Sequence, residues 1–499
     1  MQTKDLLGLA LIFIALVGGI GLTCVSQRIR DIAFFAMTAG LVLTDRMDIN
    51  FFSREWYRGT TRGIEISLVD ILALCLIVSA ILIPRYRPRI YWPPSLTFML
   101  ALFVCACVSV WMSTPRIFGG FELSKMVRAM IFFVAAALFV RGDRELRILV
   151  VALCCTVCLQ AAMALKHKFI LHIDRATGTL EHANSLSMYI CMTAPILVTA
   201  FNSAFPKLIR WFALVALGAA SVAIALTLSR AGLPIFAMVV AAAAVLTMSW
   251  KITIRKVAFA CGALVMLGAV ALVMWEPIVQ RYSEDSMQEE MQGRGFESRG
   301  QYFAIAGAIV QEQRFGVGLN NWSYWVSKTY GKRVGVDVYQ DYDTIPKSIL
   351  EAPEIYDLAP NYAPPAHNLG VLTLGEMGWP GLILFCLLWL RWFQMGFVFL
   401  WSRTPEPLRR MGVGFFFATL GVFLQSLTEW VYRQTPILLT FHIVLGCLAS
   451  LYYIKRHAKP SQREAAEIDD EPVRASYREP AHIAAQPVGA MKALPRPAI

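Results

Sequence analysis

Residues 208–249 read LIRWFALVALGAASVAIALTLSRAGLPIFAMVVAAAAVLTMS, two apolar runs at 208–228 and 232–249 divided by the turn Ser229–Arg230. Each run approaches the roughly 20 apolar residues an α-helix needs to cross the hydrocarbon of a bilayer. The same pattern recurs outward in both directions. Candidate spans lie near 66–84, 95–113, 124–140, 145–165 and 184–201 on one side, and near 256–275, 379–401, 410–428 and 435–454 on the other. Helices are expected in all of them, because a backbone in lipid has no water with which to pair. Composition agrees: 57% of the 499 residues are hydrophobic, only 16% are charged, and the mean hydropathy is +0.55. A soluble chain of this length carries far more charge. The expected fold is an all-α polytopic integral membrane protein of about twelve transmembrane helices with both termini inside. The alternative is thirteen with an outside N-terminus, the two counts differing in how Leu6–Val25 and Ile32–Thr44 are used.

The formal charge of +12 is read as topology rather than as a nucleic-acid surface, because the basic residues fall in short loops between apolar runs. Loops with Arg85, Arg87 and Arg89, with Arg141, Arg144 and Arg147, with Lys207 and Arg210, with Lys251, Arg255 and Lys256, and with Arg403, Arg409 and Arg410 are assigned to the cytoplasm. Alternation then sends Lys166–Ala183, the Ser229–Arg230 turn and the stretch Glu276–Ala366 to the opposite face. The eleven cysteines all lie in apolar segments and are expected as unbridged thiols. The chain therefore divides into N-terminal transmembrane helices (1–275), a large, partly helical loop (276–366), C-terminal transmembrane helices (367–454) and a disordered cytoplasmic tail (455–499), which is rich in Pro, Ala, Arg and Glu without periodicity.

A connector of roughly 90 residues is long enough to carry function. Within it Ser298 is placed to cap a helix through Tyr302, Ile305, Ala308 and Ile309, with Arg299 in its first turn. The turn Phe315-Gly-Val-Gly-Leu319 ends that helix. Further on, Trp322, Tyr324, Trp325, Tyr330, Tyr339, Tyr342, Tyr356 and Tyr362 suit either sugar faces or the membrane interface. The loop closes on Pro364-Pro-Ala-His367-Asn-Leu-Gly370, and a short helix is expected over Val371–Gly378 before Pro380 and Gly381. His367 is thus predicted to re-enter the membrane on the same side as Arg175, Arg230, Arg281, Arg294 and Arg299. An imidazole accepts a proton near neutral pH, and a guanidinium pairs bidentately with phosphate oxygens. Such a cluster suits an enzyme that activates a hydroxyl and displaces a diphosphate-linked group. Each residue also has a structural reading: His367 as a cap, Arg230 as an interfacial anchor, His182 as a second base or the start of a helix. Lys125 and Arg128, at i, i+3 in an apolar run, either pair with Glu122 or face a polar cavity.

Other catalytic classes find no motif. There is no glycine-rich phosphate loop ending in Lys-Ser/Thr, no His-Glu-x-x-His and no Cys-x-x-Cys on a polar segment, so a nucleotide-driven pump or a zinc enzyme is not expected.

At the end of the long loop, His367-Asn368, nine residues Leu369–Met377 and Gly378-Trp-Pro-Gly381 meet the pattern His, Asn/Ser/Gln, nine residues, Gly-x-x-Gly/Thr/Tyr. On this the sequence resembles the O-antigen ligase and polymerase superfamily of bacterial envelope enzymes. Arg175-Ala-Thr-Gly-Thr with Asn184, the Ser229–Arg230 turn, and Arg299 followed by the Phe315–Gly318 turn stand in the expected order. Tyr302 occupies a place where relatives often have Trp. The resemblance implies an inverting, metal-independent glycosyltransferase that needs no cofactor. It moves polysaccharide from an undecaprenyl-diphosphate donor to a hydroxyl of lipid A–core, at the periplasmic face of the inner membrane. His367 would be the general base, with Arg230 and Arg299 stabilising the diphosphate. Arg175, Asn184, Asn368, Arg294, Lys125 and Arg128 are candidates for holding substrate. The phospholipid bilayer is an expected partner and nucleic acid is not. Alternatives within the fold are a repeat-unit polymerase or a protein O-oligosaccharyltransferase; outside it, a lipid-linked sugar transporter.

Overall fold

The computed structural model describes residues 3–44, 48–83, 92–248, 299–336, 339–345, 362–401, 404 and 406–457, with backbone alone for 3–11 and 299. The expected span 256–275, most of the tail, Arg281 and Arg294 lie outside the described residues. The described chain is mostly helical: α1 (Thr3–Val25), α2 (Gln27–Gly40), α3 (Leu68–Leu82), α4 (Leu96–Met112), α5 (Arg116–Phe139), α6 (Asp143–Phe169), α7 (Ala183–Asn202), α8 (Lys207–Thr227), α9 (Gly232–Thr247), α10 (Arg299–Glu312), α11 (Leu369–Phe397), α12 (Leu408–Ser426) and α13 (Thr435–His457). By length and apolar composition α6, α7, α8, α11 and α13 are able to cross a membrane, while α3, α4, α9 and the 12–25 part of α1 are shorter apolar helices. The N-terminal region forms two helices broken at Ser26. Every expected span within the described residues coincides with a helix, but the span count of twelve does not follow from these lengths.

α7 and α13 are the most enclosed helices. The first packs against α8, α9 and α12, the second against α5. Close approach there depends on small residues: a Cβ on Gly446 of α13 would strike the Phe133 carbonyl of α5. The ten described cysteines are unbridged.

Between α2 and α3 the chain makes a feature that hydropathy alone did not suggest, a two-stranded antiparallel hairpin. β1 (Ile49–Phe51) pairs with β2 (Ile64–Ile66) in the register Ile49↔Ile66 and Phe51↔Ile64. Its loop docks on the described part of the 276–366 loop. Tyr57 stacks on Phe118 with centroids 3.7 Å apart and donates to the Asn320 carbonyl. Tyr342 stacks on Tyr362 at 3.9 Å. Trp322, Tyr324, Tyr330, Tyr342 and Tyr362 are all buried. These rings form packed cores where the loop meets the hairpin and α5, and do not serve as exposed sugar platforms.

α11 is two helices joined at Gly378, which has φ 63° and ψ −164°. The break thus falls before Pro380, whose ring is tolerated in the first turn of the second segment. Here the expected turn Phe315–Leu319 is latched to the break: Val317 N donates to Gly375 O at 3.0 Å and Gly318 N to Glu376 O at 2.9 Å. A Cβ at Gly378 would collide with the Arg314 carbonyl. Gly378→Ala is therefore expected to destabilise the protein by about 1–3 kcal/mol through backbone strain alone, before the clash is counted. The check is the thermal unfolding midpoint in detergent, where an unchanged midpoint would contradict the latch.

Candidate functional site

Four segments distant in sequence converge on one polar cavity of about 790 Å³. Asp48, Asn50 and Glu55–Glu65 come from the hairpin, Arg175–Asn184 from the approach to α7, Pro364–His367 from the approach to α11, and Glu429–Thr435 from the link between α12 and α13. His367 is positioned by its neighbours. The prolines at 364 and 365 stiffen the chain before it. After it, Asn368 caps α11, its Oδ1 accepting from Val371 N at 3.0 Å, while its Nδ2 donates to Leu427 O at 2.8 Å. Asn368 therefore ties the start of α11 to the segment that carries Glu429.

That tie places His367 Nδ1 2.9 Å from Glu429 Oε2. The other carboxylate oxygen accepts from Asn184 Nδ2 at 2.7 Å, and Asn184 Oδ1 accepts from Arg175 Nη2 at 2.7 Å. Arg175 Nε in turn donates to Thr227 O at 3.1 Å, just before the Ser229–Arg230 turn. The Glu429 side chain is 12% exposed and that of His367 40%, so the imidazole faces the cavity with the carboxylate behind it. A carboxylate that accepts from Nδ1–H leaves the lone pair on Nε2, the tautomer a general base needs. The Tyr302 ring of α10 lies beside the imidazole, its centroid 6.0 Å away.

The model of the family described as O-antigen ligase matches residues 212–386. That stretch is O-antigen ligase-like. No curated protein matches the chain. The matched region runs from α8 to the middle of α11 and includes Arg230, Arg299 and His367. Arg175, Asn184, Glu429 and the hairpin lie outside it, so the matched stretch contributes His367 to the cavity while the rest of the chain supplies much of its wall.

Among the sequence-predicted residues, the structure brings His367, Arg175 and Asn184 together on the cavity, with Asn368 as their fastening. His182 lines the cavity as the N-cap of α7, its ring edge-on to Trp430 at 6.5 Å. Arg230 occupies the half-buried turn between α8 and α9 and is not among the residues lining the cavity. Arg299 is the first residue of α10, one turn before Tyr302, and its side chain lies outside the described part. Lys125 and Arg128 take the pairing alternative. Lys125 Nζ is 2.9 Å from Glu122 and donates to the carbonyls of Thr60 and Arg433. Arg128 is shared by Asp70 at 2.9 Å, Glu65 at 3.1 Å and Asp48 at 3.2 Å. Burial, with Glu65 and Asp70 nearby, pushes the Asp48 carboxyl up to about 6 against the pull of Arg128.

Sequence reasoning passed over Glu429. The available signal was a lone carboxylate in the short link Leu427–Gln434, between two apolar runs. Among the described residues, no group of three or more His, Cys, Asp or Glu is arranged to hold a metal ion.

Proposed function

We propose that this chain is an O-antigen ligase, which transfers polysaccharide from undecaprenyl diphosphate to a hydroxyl of lipid A–core at the periplasmic face of the inner membrane. The observation that carries the reading is the His367–Glu429 pair on a cavity wall shared with Arg175, next to the ligase-like match. His367 Nε2 removes the proton of the acceptor hydroxyl as that oxygen bonds to the anomeric carbon. The bond from this carbon to the diphosphate breaks with inversion, and the lipid diphosphate departs with the electron pair. The imidazolium is stabilised by Glu429. Arg175, with Arg230 and Arg299, balances the charge that grows on the diphosphate.

Purified protein given a synthetic undecaprenyl-diphosphate glycan and lipid A–core is expected to form the joined product, and to keep its rate in excess chelator. A rate abolished by chelation and restored by magnesium or manganese would refute charge stabilisation by arginine alone. A deletion strain should lose long chains from lipid A–core while polymerised donor accumulates. Single capped repeats would point instead to a polymerase, and an unglycosylated protein to a protein transferase. On sidedness, a cysteine at Gln340 in a background without native cysteines should react with an impermeant thiol reagent while the inner membrane is intact. Reaction only after permeabilisation would invert the topology.

A further inference from the structure

We propose that the hairpin loop holds a second anion subsite in the cavity, where Arg58, with Arg62 beside it, binds a carboxylate or phosphate group carried by the acceptor saccharide. The inference rests on the ligase reading for the word acceptor, but the anion preference itself does not.

Arg58 and Arg62 both line the cavity. The loop that presents Arg58 is held from several directions. Its own N–H donates to Tyr342 Oη at 3.1 Å, Thr60 N donates to Asn320 Oδ1 at 2.8 Å, and Tyr57 beneath it is fully buried. Arg58 Nη1 donates to Tyr362 O at 2.7 Å, which fixes one edge of the guanidinium.

The charge itself is not answered by this contact. Lys125, Arg128 and Arg433 are each met by a carboxylate. Among the described residues, none comes within ion-pair distance of Arg58, whose side chain bonds a backbone carbonyl. Arg62 has Glu55 at 3.9 Å, with both side chains more than 40% exposed (42% and 45%), a contact worth little. A half-buried, pre-oriented guanidinium with free donors on the wall of a polar cavity suits a bidentate oxyanion.

Its attachment indicates which substrate brings that anion. Tyr362 begins the stiff segment that ends at His367, so Arg58 is fastened to the base's own support. Arg175 is fastened to Thr227, beside the Arg230 turn, as well as through Asn184 to Glu429. In an inverting displacement, the base touches the incoming hydroxyl while the leaving diphosphate departs from the opposite face of the anomeric carbon. Arg58, tied to the chain that carries the base and not to the Arg230 turn, is therefore assigned to the acceptor.

The test uses the detergent-purified full chain and four probes titrated without turnover: glucose, glucuronate, glucose 6-phosphate and inorganic pyrophosphate. Wild type should prefer the two anionic sugars over glucose by about tenfold or more, as a charge-assisted bidentate contact implies. Arg58→Gln should bring both down to the level of glucose, with Arg58→Lys retaining part of the preference and Arg62→Gln losing less of it. Pyrophosphate binding should survive Arg58→Gln and fall in Arg175→Gln. Thermal unfolding of each variant separates lost binding from lost fold. Equal affinity for glucose and glucuronate in wild type, or a preference that persists in a folded Arg58→Gln protein, would overturn the subsite. So would loss of pyrophosphate binding in Arg58→Gln, because the anion would then be the donor's. A chain that shows the preference but joins no glycan to lipid A–core would instead refute the ligase reading alone.

Discussion

His367→Ala should lower glycan transfer by about 10²–10⁴-fold while leaving a folded, membrane-inserted protein. A sugar hydroxyl of high pKa must lose its proton as it attacks, and a positioned base contributes on that order. The structure adds a companion expectation. Glu429→Gln retains size and hydrogen bonding but removes the charge that stabilises the imidazolium, and its amide can donate to Nδ1 and so select the wrong tautomer. The loss should be about 10²-fold or more. Glu429→Asp should recover part of it. Arg175→Ala and Arg299→Ala should slow the same step by weakening diphosphate departure, with lysine at either position restoring only part, since an ammonium keeps charge without the fork. Transfer from a synthetic donor is the measurement, with donor binding assayed separately. If His367→Ala turned over near the wild-type rate, the base assignment would fail and His182, on the same cavity, would be tested next.

The second large effect is expected far from any substrate. Arg433, in the turn Val431–Arg433, pairs with Glu376 of α11, and its carbonyl accepts from Lys125, which pairs with Glu122. All four side chains are buried, with residue exposures of 6%, 1%, 1% and 3% in the order Arg433, Glu376, Lys125, Glu122. Two cations and two carboxylates make a neutral tetrad. Removing one member leaves an uncompensated charge away from water, which costs about 3–5 kcal/mol. Glu376→Gln and Arg433→Met should therefore each markedly lower the unfolding midpoint in detergent. The double variant Glu376→Leu with Arg433→Met should recover much of the loss, since an apolar pair of similar volume often replaces a buried ion pair at little net cost. Strict additivity of the two single effects would show that the pair is not coupled. The tetrad also matters to the site, because Arg433 stands four residues after Glu429 and Glu376 nine after His367. Both halves of the dyad therefore hang from it.

Several elements were legible before any coordinates. Apolar runs of helical length located the helices, and the helix Arg299–Glu312 was readable from Tyr302, Ile305 and Ile309, all now buried. The break in α11 was anticipated within a few residues, because glycine and proline constrain the local backbone whatever surrounds it. The pattern at His367 marked a candidate base for the same reason: it is local, a rigid turn running into a helix start.

The remainder depended on contacts that no periodicity records. Nothing in the order of residues places Glu429 beside an imidazole 62 positions away, or Arg58 on the carbonyl of Tyr362, 304 positions on. Lys125 and Arg128 looked like cavity residues or paired ones with equal warrant. The choice was made by Asp70 and Glu65 arriving from α3 and the hairpin, and by the Arg433 carbonyl 308 positions away. The loop aromatics posed the same ambiguity, since a ring suits a sugar or a core equally well until its neighbours are known. By itself the sequence determined a helical membrane protein, its breaks and a candidate base, because hydropathy and backbone propensity act over a few residues. Only the tertiary structure decided which charges neutralise one another and which remain facing the cavity, because ion pairing depends on distances set by packing.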